Sequence, residues 1–310
     1  SFPETREEEL ARALSTGLFD YLRKSRARGY VVSLSGGADS SACACLVGLF
    51  VRFALHELGV EGTKRALPSL ANVHGDARAM TAALLTTMYQ STRNSGDVTR
   101  NAARTVAHAV GSTHLELDVD ALVQTYMSTV ETAIGRPLTW QTDDVAMQNV
   151  QARVRAPSAW LVANIEGKLL ITTSNRSEAA VGYATMDGDT AGGLSPLSGV
   201  SKAYLRKWLV WLEHTGPSGL GPIPELRVVN VQAPTAELRP SEAKQTDEDD
   251  LMPYDVLELI EQAAIRDKRP PLDVLYVLRA AKPDVPEDVR RAWVKRCLLY
   301  TSDAADERSS

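Results

Sequence analysis

The chain has 310 residues, enough for one large α/β domain with a substantial core. Hydrophobic residues make up 44% and charged residues 24%, the balance of an ordinary soluble globular protein. The formal net charge of -5 argues against a nucleic-acid binder held by phosphate contacts, and neither a secretory h-region nor a membrane-length apolar run is read from the sequence.

Taken in order, residues 7–26 predict an amphipathic helix with Leu10, Ala13, Leu14, Leu18 and Leu22 along one face. Tyr30, Val31, Val32, Ser33 and Leu34 then predict a buried strand. The string Ser35-Gly36-Gly37-Ala38-Asp39-Ser40-Ser41 follows, and a helix is predicted from 40 to 58. Strand, glycine turn and helix N-terminus form a geometry for holding phosphate, because glycine admits the anion and unpaired N–H groups point at it. Ser35, Ser40 and Ser41 add hydroxyl donors. Asp39 would repel a phosphate unless a divalent cation sat between them. The GK[ST] ending of a Walker loop is missing. Cys43 and Cys45 lie two apart in the same helix, so they point to different faces. With Cys297 as the third, a disulfide framework or zinc site is not expected, and a reducing cytoplasm is the default location.

Residues 59–62 read as a turn and 65–68 as the end of a second strand. Helices are predicted over 76–90 and 97–110, a strand over 114–118, and a helix over 119–133. Thr142 is placed as the cap of a long helix from Asp143, bent at Pro157. A strand over 168–173 runs into Thr173-Ser174-Asn175-Arg176-Ser177-Glu178. A glycine-rich segment spans 182–199, a helix 202–213 and a strand 226–231, and the chain after Pro253 reads as helical. Strands alternating with helices imply a doubly wound, mostly parallel sheet covered on both faces. His74, His108 and His114 show no metal spacing, and Asp247-Glu248-Asp249-Asp250 reads as a solvated acidic turn.

The string SGGADS resembles the pyrophosphate loop of the N-type ATP pyrophosphatases, which cleave ATP between the α and β phosphates. Four more stretches, at 143–155, 173–178, 182–202 and 234–238, extend this to a resemblance to NAD synthetases over about residues 5–296. The likeness is to the synthetase domain of the glutamine-dependent form. It implies an adenine nucleotide alpha hydrolase-like fold with a helical C-terminal part. The implied reaction is ATP-dependent amidation of deamido-NAD through an acyl-adenylate, with ammonia as the amide donor.

The resemblance also assigns residues. ATP would be held by Ser35, Gly36, Gly37, Asp39, Ser40, Ser41, Thr173, Lys202 and Thr235. Asp39 and Glu178 would hold magnesium, and Asp39 and Lys202 would act in catalysis. Asn149, Arg153, Glu178 and Asp189 would contact deamido-NAD. A lysine and an aspartate that contact the dinucleotide in the short ammonia-dependent enzymes correspond to Met186 and Gly193 here, and Asp189 is the expected substitute. A homodimer is expected, without nucleic acid or membrane. Alternatives are another pyrophosphate-loop ligase, of the GMP synthetase or tRNA-modifying kind, or a non-catalytic nucleotide-binding relative.

Residues 1–29 are expected to lead into a synthetase domain over 30–296. The first residue is Ser1, and the glutaminase (amidase) domain of the glutamine-dependent form is absent, so a fragment is expected. Residues 297–307 resemble the translated read-through of a transposon-type sequencing adapter. Residues 297–310 are therefore expected to be non-native, to make few core contacts and to carry no site residue, with the true C-terminal residues missing.

Overall fold

In the computed structural model of the chain, the described residues are 5–232, 238 and 252–303, without the side chains of 299–303. Helix α1 (Arg6–Ser25) opens at Thr5, whose hydroxyl accepts the Glu8 amide at 3.2 Å. Strand β1 (Tyr30–Ser33) leads through the glycine turn into α2 (Ala38–Ala66). Its residues Ala42–Val51 are almost completely buried. By length and composition α2 could cross a membrane, which was not read from the sequence. Burial between α1, α4, α8 and the sheet accounts for its apolar character. Gly59, at φ 66°, breaks the helix where the turn was predicted, and the helix then resumes. The strand predicted at 65–68 is therefore the end of α2 and a short 3-10 turn, Pro68–Leu70.

Helix α3 (Ala77–Leu84) passes directly into β2 (Leu85–Ser91), so the helix predicted over 76–90 is half helix and half strand. After α4 (Asp97–Val110) come β3 (Thr113–Asp118), α5 (Asp120–Ile134), α6 (Asp144–Glu166) and β4 (Leu169–Ile171). Helix α6 runs unbroken through Pro157. Asp143 holds its N-cap position, and the predicted cap, Thr142, donates to the Asp143 carboxylate at 2.7 Å.

The sheet order is β3-β2-β1-β4 with every pair parallel. Val31 pairs with Thr86 on one side and with Leu170 on the other. Tyr30 and Val32 pack toward α2, whereas Val31, Met88 and Leu170 pack against Ala159 and Ala163 of α6. Both faces are thus covered, as a buried parallel sheet requires. The chain winds outward from β1 to β3 and then returns to β4 on the other side of β1. This makes the gap between β1 and β4 a topological switch point, where open α/β sheets place ligands.

Beyond β4 lie α7 (Arg176–Val181), α8 (Lys202–His214) and the short α9 (Arg227–Asn230). Of residues 226–231, predicted as a strand, 226–230 are helical and 231 is a turn, with Leu226 and Val229 buried in the main core. Helices α10 (Tyr254–Glu261), α11 (Pro271–Ala281) and α12 (Glu287–Asp303) build a second core that includes Val181 of α7. Cys297 is 2% exposed in that core and Leu298 packs beside it. Core contact therefore continues past Arg296, contrary to the expectation for the tail, because Cys297 falls one turn after the buried Val294 on the same helix face.

Candidate active site at the sheet switch point

The turn after β1 is fixed by backbone geometry. Gly36 has φ 84°, and a Cβ there would lie 2.2 Å from the Thr99 carbonyl oxygen. Only glycine satisfies both constraints. The Ser35 amide donates to Ser40 Oγ at 3.2 Å, and the Gly37 amide donates to Ser35 Oγ at 3.3 Å. Gly37 caps α2 without any side chain closing the helix end, so the first-turn amides keep their capacity for an anion. The turn forms one wall of a cleft of about 210 Å³.

A second element reaches the cleft from β4. Asn175 and Glu178 form a reciprocal capping box on α7, with the Glu178 amide donating to Asn175 Oδ1 at 3.0 Å. The Asn175 amide group also donates to Asp39 Oδ1 at 2.8 Å, which ties the end of β4 to the end of β1. Lys202, the first residue of α8, is 4% exposed. Its ammonium donates to Asp39 Oδ2 and, at 3.3 Å, to Glu178 Oε1. Burial pushes the Glu178 carboxyl up to about 8, the Asp39 charge adds to this, and Lys202 opposes it. Burial alone would lower the Lys202 ammonium, but the Asp39 and Glu178 carboxylates hold it above the usual lysine range.

Helix α10 braces this corner from outside the sheet. The Tyr254 ring lies 5.8 Å from the Lys202 ammonium. Ser201, which caps α8, donates through Oγ to Glu258 at 2.9 Å. Glu261 accepts from Arg176 Nε at 3.2 Å. Tyr254, Glu258 and Glu261 follow a spacing of four and three, one face of a helix, and they engage the N-terminal ends of both α7 and α8.

Ser35, Gly36, Gly37, Asp39, Ser40, Thr173, Glu178, Asp189 and Lys202 all line the one cleft. Ser41 does not: it is 0% exposed and its hydroxyl has no partner. Its position in the helix turns it into the core, so the sequence-based assignment to ATP is corrected for its side chain. Asn149 and Arg153 also lie off the cleft wall. Asn149 Oδ1 accepts from Thr185 Oγ1 at 2.8 Å, and Arg153 Nε donates to the Met186 carbonyl at 3.0 Å. Both therefore pin the glycine-rich segment beside the cleft. Asp189 accepts the Thr185 amide at 3.0 Å, and its carbonyl accepts from Thr172 Oγ1 at 3.1 Å. Met186 is exposed, and the Gly193 amide donates to the Leu170 carbonyl at 2.8 Å. Thr235 lies outside the described residues.

The polar residues of the cleft that were not singled out as site residues include Gln90, Arg155 and Arg206. Gln90 was hidden because its strand was read as helix. It donates to the Arg155 carbonyl at 2.7 Å and to Ser158 Oγ at 2.6 Å, while Arg155 Nε donates to the Gln90 carbonyl at 3.2 Å. Arg155 lies on a different face of α6 from Asn149 and Arg153, and that face is the one on the cleft. The sequence signal for Arg206 was its position four residues after Lys202 on one helix.

Among the described residues no three His, Cys, Asp or Glu gather as a metal site. Two carboxylates do converge on one cation position, which the Lys202 ammonium holds. That donor set fits magnesium completed by phosphate oxygens better than a site built from protein alone.

A family model described as NAD synthase matches residues 10–291. The chain is 33% identical over 278 residues to the glutamine-dependent NAD(+) synthetase of Oryza sativa subsp. indica, covering 82% of this chain and 37% of that protein. It is also 33% identical over 293 residues to the glutamine-dependent NAD(+) synthetase of Thermotoga maritima, covering 94% of this chain and 44% of that protein. Among solved structures, the glutamine-dependent NAD(+) synthetase from Cytophaga hutchinsonii superimposes with a TM-score of 0.85 at 42% identity, covering 98% of this chain and 50% of that one. The chain thus spans half or less of the length of these relatives.

Proposed function

Because the chain belongs to the NAD synthase family, we propose that it amidates deamido-NAD to NAD at the expense of ATP, through an acyl-adenylate. A carboxylate oxygen of the nicotinate attacks the α-phosphorus of ATP, and the bond to the bridging oxygen breaks. Pyrophosphate leaves with that electron pair. Ammonia then attacks the acyl carbon, AMP leaves with the acyl–oxygen electron pair, and a proton is released from the nitrogen. No protein nucleophile is needed, so the chain's work is to align two anions and offset the charge that develops on phosphate.

The observation that carries this reading is the convergence of the glycine turn, Asp39, Glu178 and Lys202 in one cleft at the switch point. The turn and the first amides of α2 suit the phosphates. Lys202 supplies a positive charge that faces the leaving group once it is freed from its carboxylates. Asp39 and Glu178 would hold magnesium, which when bound neutralises phosphate charge and orients the leaving oxygens. Asn149 and Arg153 position the glycine-rich segment, and with Asp189 they form the side proposed for the dinucleotide.

Free ammonia is the proposed amide donor for the 310-residue polypeptide. Glutamine hydrolysis by a cysteine needs a reactive thiolate. All three cysteines are buried, and burial pushes Cys45 and Cys297 up to about 12 and Cys43 well above the usual thiol range. The test is a substrate panel read as AMP release and NAD formation by the purified chain. Equal amounts of AMP and NAD are expected with ammonium and deamido-NAD, and none with glutamine. Turnover with XMP or tRNA in place of deamido-NAD would overturn the substrate, and NAD formed from glutamine would overturn the donor.

A further inference from the structure

Among the described residues, six charged groups line the cleft, and most have a visible counterpart. Lys202 is engaged by Asp39 and Glu178, and Arg155 donates to the Gln90 carbonyl. Asp189 accepts the Thr185 amide. Arg206 is different. It is half-buried in the wall and has neither a hydrogen bond nor an ion pair with any described residue. A guanidinium partly withdrawn from water and left without an acceptor is unfavourable, and an anion in the cleft would relieve that.

The position of Arg206 narrows the choice of anion. It stands one turn beyond Lys202 on α8 and shares its face. Helix α8 packs against α2 and α9, and α9 packs against α2 and α4. The first turn of α2 holds the anion-binding amides, and Thr99 of α4 is the residue that crowds Gly36. Arg206 therefore belongs to the side of the cleft built around the glycine turn. Arg155 and Gln90 belong to the side built by α6 and β2.

We propose that Arg206 is a binding residue for the leaving pyrophosphate, whose two phosphoryl groups it meets from α8 while the glycine turn meets them from α2. This rests on the adenylation reading above. A planar guanidinium can donate two parallel hydrogen bonds to a phosphoryl group, which the ammonium of Lys202 cannot. Charge moves onto the pyrophosphate as its bridging oxygen takes up the electron pair, so the contact strengthens as the bond breaks. Arg206 thus favours both pyrophosphate binding and the adenylation step, and it leaves dinucleotide binding alone.

The test titrates inorganic pyrophosphate, in magnesium buffer, into the wild-type chain, Arg206→Ala and Arg206→Lys by calorimetry. A parallel titration uses deamido-NAD. Losing a charged hydrogen-bond partner predicts about a tenfold or greater loss of pyrophosphate affinity in Arg206→Ala and a smaller loss in Arg206→Lys. Deamido-NAD affinity is expected to stay at the wild-type value in both. Pyrophosphate affinity in Arg206→Ala within about twofold of wild type would overturn the proposal, as would an equal loss of deamido-NAD affinity. If the wild-type chain forms no AMP, the adenylation reading falls, and the pyrophosphate titration still decides Arg206.

Discussion

Glu178 shows how the site holds a proton before any nucleotide arrives. Its carboxyl, ordinarily near 4.5, is pushed up to about 8 by burial and by Asp39. The unfolded chain therefore gives up this proton well before the folded chain does. The stability that Glu178 contributes is fully present below about pH 4.5 and is lost as the pH rises through about 8. Thermal melts without nucleotide should show wild type losing its advantage over Glu178→Gln across that window. A difference that stays constant with pH would exclude a buried, protonated Glu178. The same burial explains what the sequence displayed at this scale. The phosphate turn was legible because its residues are consecutive and their chemistry is local. Asp39 and Lys202 are 163 positions apart, so no local pattern joins them, and only resemblance brought the two together. Ser41 was misjudged because a hydroxyl in a polar string looks like a ligand until helix phase turns it inward.

Elements were legible where a period or a breaker marked them, and not where tertiary packing overrode propensity. No glycine or proline separates α3 from β2, so the apolar run through Leu84 and Leu85 read as continuous helix. Arg227, Val228 and Val229 read as strand because valine favours it, yet the helix they form buries Leu226 and Val229. Helix α10 was expected only as part of a helical end, and its role is visible only in three dimensions. Its Glu258 holds Ser201, the residue that caps α8 and precedes Lys202. Glu258→Leu is expected to lower stability by about 1 kcal/mol and kcat by about tenfold, with KM for ATP little changed. Glu258→Gln, which keeps an acceptor oxygen, should restore most of both. A Leu variant that melts earlier but turns over at the wild-type rate would leave α10 a structural brace with no part in placing Lys202.

At the scale of the whole molecule, the parallel sheet and its two helical layers were legible from alternation, but the surface was not. Helix α5 carries Leu122, Tyr126, Val130 and Ile134 at intervals of four, each between 47% and 56% exposed. On the neighbouring α6, Trp160, Leu161 and Ile165 are also exposed. Helix α5 is tied to α6 through Val123 and Val154, and among the described residues that contact leaves the neighbouring stripe exposed. A run of large apolar side chains in water marks an interaction surface more often than a monomer's ordinary exterior. The homodimer expected for this family would use such a stripe against its own copy, since a two-fold interface presents the same patch from both sides. Asn149 and Arg153 lie on α6 as well, which would set the dinucleotide side of the cleft near that interface. Sedimentation velocity at micromolar concentration is expected to give a dimer, and Tyr126→Glu with Ile134→Glu a monomer of unchanged secondary structure. A monomeric wild-type chain would sink this assignment, and so would a dimer indifferent to both charges.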